Sequence, residues 1–131
     1  MIGTFGLQGR VFLQSPLGGS EKFEALNKSD LFVLTSRFEG LPMAALEALS
    51  RGVPCLLTHG TGLAREVGGS GAGFAATASV DSIREALGEV AAVDLCALRN
   101  AARNLAHHYS WPAAASASLE GYSVVLKSAS R

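Results

Sequence analysis

SDLFVLTSRFEGLPMAALEALSRGVPCLLT, residues 29–58, decides the fold. Its two apolar runs, DLFVLTS and VPCLLT, are short and continuous rather than alternating. That pattern predicts strands buried on both faces, as in a parallel sheet. Between them, PMAALEALSRG has Pro42 at a first helical position and Gly52 where a C-terminal cap belongs, so a helix connects the strands. Strand, helix and strand of these lengths make a right-handed parallel crossover.

The pattern continues on both sides. Upstream, VFL (11–13) is a short apolar run between Arg10 and a Ser-Pro-Leu-Gly-Gly turn cluster and predicts a strand. SEKFEALNK (20–28) spaces Phe23, Ala25 and Leu26 as a helix does, with Ser20 as its cap. Downstream, HGTGLAREVGGSGAG (59–73) is a loop with one helical turn around Leu63 to Val67, and GFAATA is a last short strand. Helices follow over 81–90, 94–108 and 112–127, with Asp81 and Asp94 as caps. The alternation predicts one α/β domain, 1–131, with a partial Rossmann-like parallel sheet and flanking helices.

Lys and Arg total 11, as do Asp and Glu, in 131 residues. Neither sign clusters, which argues against nucleic acid as a partner. Cys55 and Cys96 lie far apart among apolar residues and predict two buried, reduced thiols. No cysteine or histidine spacing suggests a metal site. The N-terminus lacks the basic start and apolar core of a secretory signal, and no apolar run approaches the length of a membrane span. The expectation is a cytoplasmic protein. Trp111 is expected to pack in the core or against a missing neighbour. His107 and His108 read as solvated cations at a helix C-terminus.

Chemistry concentrates in EGLPMAALE, residues 39–47. In an open parallel sheet, ligands bind beyond the carboxyl ends of the strands, where residues 36–42 fall. A helix start there offers unpaired N–H groups from Met43, Ala44 and Ala45, and Gly40 allows close backbone approach. Such a place suits a phosphate or pyrophosphate. Glu39 and Glu47 would then flank it as hydroxyl acceptors, one for a hexose and one for a ribose. A second reading stands beside this one: Glu47 and Arg51 have the i,i+4 spacing of a solvated ion pair, and Glu39 beside Arg37 is a loop charge.

The same residues resemble a known family. EGLPMAALE matches the E-x7-E signature of retaining GT-B-fold glycosyltransferases of group 1 (family 4). SDLFVLTSRFEGLPMAALEALSRGVPCLLT follows that family's order, as do the loop HGTGLAREV and the ending HHYSWPAAASASLEGY. The similarity extends over roughly residues 10–122 and implies a C-terminal, donor-binding domain. It implies that Glu39, the catalytic-site candidate, contacts donor-sugar hydroxyls and that Glu47 holds the ribose. Gly40, Leu41, Pro42 and Met43 would approach sugar and diphosphate through their backbone, with Ser36 near the nucleotide. Gly60, Thr61, Gly62 and Glu66 are weaker candidates near the donor, and His59 is a ligand candidate from its place alone, at a strand end facing the expected cleft. No cofactor or metal is implied beyond the nucleotide diphosphate sugar itself.

The family's N-terminal domain and its Gly-Arg … Lys-Gly stretch, which supplies cations to the diphosphate, have no counterpart here. Gly9-Arg10 precedes a different strand and no Lys-Gly follows. The expectation is therefore an incomplete C-terminal domain, with a glycan or lipid-linked acceptor reached through a missing domain, and a tendency to self-associate or recruit a second chain. Two functions follow from this: the nucleotide-sugar-binding part of a retaining hexosyltransferase, or a non-catalytic fragment serving as a binding or assembly module.

Overall fold

A computed structural model of the protein describes residues 2–129. The elements run α1 (Gly19–Asn27), β1 (Phe32–Leu34), α2 (Met43–Ser50), β2 (Cys55–Thr58), α3 (Ala64–Gly69), β3 (Gly73–Ala76), α4 (Val80–Ala91), α5 (Leu95–His108) and α6 (Trp111–Ala129). The strands form one parallel sheet in the order β1-β2-β3. Val33 lies beside Leu56, and Leu56 beside Phe74. The α/β class with parallel strands and flanking helices is as the sequence predicted.

The register divides the side chains between two faces, since neighbours along a strand point oppositely. Phe32, Leu34, Cys55 and Leu57 face a core built with Leu26 of α1, Leu46 and Leu49 of α2, Val67 of α3 and Leu105 of α5. Leu56 and Ala76 face the other way and pack with Ala86 of α4 in a smaller cluster. Every residue of β2 is buried, as its continuous apolar run predicted. The same prediction fails for β1, where Val33 remains 44% exposed. Val33 shares the face of Leu56, and α4 packs on β3 at the far side of the sheet, leaving β1 half covered.

The turn at the end of α2 carries the predicted glycine. Gly52 has φ of +75°. Its N–H donates to the Leu49 carbonyl at 2.8 Å and that of Val53 to the Ala48 carbonyl at 3.0 Å, which is a Schellman closure. It ends α2 and delivers the chain straight into β2.

Several local expectations are corrected. Residues 11–13 form no strand and are exposed. Among the described residues nothing pairs with the outer edge of β1, and an isolated run of three residues has no ladder bonds to hold it extended. Ser20 does not cap α1: the cap position is Gly18, without a side-chain bond. Asp81 lies inside the first turn of α4, and Ser79 is the cap, accepting from the Ser82 N–H at 3.2 Å. Asp94 does cap α5, accepting from the Cys96 N–H at 3.0 Å. Cys96 is exposed and only Cys55 is buried, because Cys96 sits in the first turn of α5 away from the core. Trp111 opens α6 at 89% exposure rather than packing in the core, for α6 touches the rest of the fold mainly at its junction with α5. No helix among the described residues is long and apolar enough to cross a membrane.

Candidate functional site

Beyond the C-terminal ends of β1 and β2, two loops are bound together through their backbones. Glu39 forms an isolated parallel bridge with Thr61. The Glu39 N–H donates to the Gly60 carbonyl at 2.9 Å, and the Gly62 N–H donates at 3.0 Å to the carbonyls of both Glu39 and Gly40. Below the bridge, buried Thr58 donates its hydroxyl to the Ser36 carbonyl, and the Thr61 hydroxyl donates to the Thr58 carbonyl at 2.8 Å. These contacts tie residues 60–62 to the segment bearing Glu39. The side chain of Glu39 stays exposed above it.

Pro42 stands one place earlier than predicted, as the N-cap of α2 rather than its first helical residue, because its ψ of 95° is extended. Its carbonyl accepts from the N–H groups of Ala45 at 3.0 Å and Leu46 at 3.1 Å. Ala45, expected as a free donor, is thus engaged. No side chain caps this helix. The N–H groups of Met43 and Ala44 have no acceptor within the helix, and the positive end of its dipole is exposed there.

Glu47 is half-buried and its Oε1 lies 2.7 Å from Lys22 Nζ of α1. The expected pairing with Arg51 is absent. The Arg51 guanidinium instead lies 4.6 Å from the centre of the Phe23 ring, a cation–π contact that draws it away from the carboxylate. Met43 and Glu47 also line an open groove of about 490 Å3 between α2 and α5, opposite Arg103, His107 and Tyr109. Arg103 lies over Gly52, so close that a Cβ there would come within 2.7 Å of its guanidinium carbon. Partial burial, and then the charge of Glu66 on α3, raise the Tyr109 hydroxyl above its ordinary pKa.

Met43 and Glu47 therefore share one groove. Glu39, Gly40 and Ser36 belong to the paired loops, with exposed Leu41 and buried Pro42 joining the two regions. Gly60 and Gly62 act as the structural support of the Glu39 loop, and His59 is exposed beside it. His107 and His108 occupy the last turn of α5 as expected. Lys22, Arg103 and Tyr109 escaped the sequence reading, since each reaches the site from an element distant in the chain.

The profile of the family described as glycosyl transferases group 1 matches residues 1–105. The chain belongs to that family. This group 1 domain is 53% identical over 34 residues to the UDP-Gal:alpha-D-GlcNAc-diphosphoundecaprenol alpha-1,3-galactosyltransferase of Escherichia coli, a match covering 26% of the chain and 9% of that relative. It is 33% identical over 66 residues to the mannosylfructose-phosphate synthase of Agrobacterium fabrum, covering 50% of the chain and 14% of the relative. The chain thus spans only a small part of the curated relatives it matches. No solved structure matches it. Within the glycosyltransferase domain, the three strands and their helices are consistent with part of a GT-B C-terminal domain.

Proposed function

We propose that this domain binds the donor of a retaining hexosyltransferase, taking the sugar from a nucleotide diphosphate. The observation that carries the reading is the Glu39 loop, pinned by the Gly60–Gly62 segment beside the uncapped start of α2. Glu39 accepts hydrogen bonds from the sugar hydroxyls. The Met43 and Ala44 N–H groups, with the helix dipole, receive the diphosphate. Glu47 holds the ribose in a groove whose volume lies in the range of small-molecule sites.

In the transfer, the bond from the anomeric carbon to the diphosphate oxygen breaks. A bond to an acceptor hydroxyl forms on the same face of the sugar. Negative charge grows on the diphosphate, so positive potential at the start of α2 lowers the barrier. The E. coli relative is named for a UDP-sugar donor and a diphosphoundecaprenol acceptor, which supports a hexose donor and a lipid-linked or glycan acceptor brought in by a second domain. Saturation-transfer NMR with a panel of UDP- and GDP-sugars tests the reading. Sugar and ribose protons should both receive saturation, and a folded sample giving no transfer to any of them would contradict it.

A second reading is favoured by a separate observation. The outer edge of β1 is unpaired among the described residues, and α6 exposes Trp111, Leu119 and Tyr122. Surfaces of this kind suit a binding or assembly module that associates with another chain and catalyses nothing. Such a module would associate in solution without recognising nucleotide-sugars.

A further inference from the structure

We propose that Lys22 is a positioning residue for the donor site, setting the Glu47 carboxylate in the orientation that accepts a vicinal diol. The inference rests on the reading of Glu47 as the ribose contact. Lys22 Nζ donates to Oε1 at 2.7 Å, and Oε2 has no hydrogen-bond partner among the described residues. A carboxylate offers about four lone-pair sites, so one ammonium leaves room for two hydroxyls.

The arrangement is built rather than incidental. Arg51, the cation with the right helical spacing, is held over Phe23 and does not compete. The same ring lies 5.1 Å from Lys22 Nζ, so the ammonium rests against a side chain that packs on the core. Leu26, also on α1, is buried in that core. The cation therefore comes from a helix fixed by apolar packing, and Glu47 meets its ligand with its rotamer already chosen. A glutamate left free would lose that rotational freedom on binding, which weakens affinity. The donor site would thus draw on α1, 25 residues before Glu47 in the chain.

An ion pair that merely tied α1 to α2 would affect folding and nothing else, and ribose selectivity separates the two roles. Dissociation constants for UDP and GDP, and for their 2′,3′-dideoxy analogues, are measured by calorimetry on wild type, Lys22→Met and Lys22→Arg. The expected result is a loss of about fivefold to tenfold for the ribonucleotides with Lys22→Met. The dideoxy compounds should be unaffected, and Lys22→Arg should keep the wild-type preference. An equal loss for both classes, or none, overturns the proposal. If circular dichroism finds Lys22→Met unfolded, Lys22→Gln provides the neutral replacement and the same comparison. Wild-type binding without preference for ribose also overturns it while leaving the donor site standing. Failure of wild type to bind any nucleotide removes the donor reading and the proposal together.

Discussion

Glu39 and Gly62 are joined through the backbone, the Gly62 N–H donating to the Glu39 carbonyl at 3.0 Å. The loop that carries the first glutamate is thus shaped by a loop more than twenty residues away. A Cβ on Gly62 would overlap the Gly40 carbonyl, and one on Gly60 the Arg37 carbonyl. Gly60→Ala and Gly62→Ala should each cost about 2–3 kcal/mol, the upper part of the usual range for single substitutions, because the two loops must move apart. Urea unfolding measures the loss. Nucleotide-sugar affinity should fall further than UDP affinity, because the Glu39 end of the site moves first.

Gly52 combines a left-handed backbone with the Arg103 guanidinium lying directly over it. Gly52→Ala should destabilise by about 1–2 kcal/mol through backbone strain alone. Arg103→Ala, which removes the side chain above the turn, should leave that strain in place. Melting curves of the single and double variants check whether the cost persists without Arg103.

Leu57 is fully buried on the face beneath α2, whereas Val33 is on the half-covered face of β1. Leu57→Ala should cost about 2–5 kcal/mol through lost burial and a residual cavity. Val33→Thr should change stability by about 0.5 kcal/mol or less, as exposed substitutions usually do. Denaturant midpoints of the two variants give the comparison directly.

Burial pushes the Cys55 thiol from 9.0 up to about 12. A thiol whose pKa is higher folded than unfolded binds its proton more tightly in the native state. Its contribution is complete below pH 9 and is lost as pH rises towards 12. Stability should therefore decline across that interval, and Cys55→Ala should flatten the decline. At pH 8, iodoacetamide should modify exposed Cys96 and spare Cys55 until the protein is unfolded, as peptide mass spectrometry would record.

The strands and helices between residues 29 and 76 are legible because local pattern and tertiary role agree there, except at half-exposed Val33 of β1. The apolar run of β2 is buried on both faces, and Gly52 ends α2 with the backbone its type favours. The failures come from contacts that sequence spacing does not encode. Residues 11–13 read as a strand but pair with no strand among the described residues. Trp111 reads as core or as facing a missing neighbour, and the core placement fails because α6 has little to pack against. Glu39 and Glu47 stand out in the sequence as candidates through the family pattern around them, since residue type and place near a helix start leave a solvated reading open. The alternative pairing of Glu47 with Arg51 fails because Arg51 is near only in sequence, while Lys22 is near in space and Phe23 holds Arg51 away. The roles of Gly60 and Gly62 as backbone partners became visible only with the bridge between Glu39 and Thr61.

The central claim is a division of labour between two glutamates, one for the sugar and one for the nucleotide. Calorimetric titration of wild type, Glu39→Ala and Glu47→Ala with a nucleotide-sugar and with its parent nucleotide diphosphate tests it most directly. Glu39→Ala should weaken the nucleotide-sugar about tenfold or more and leave the nucleotide unchanged, while Glu47→Ala should weaken both. Wild-type affinity in both variants, each shown to be folded, would contradict the account.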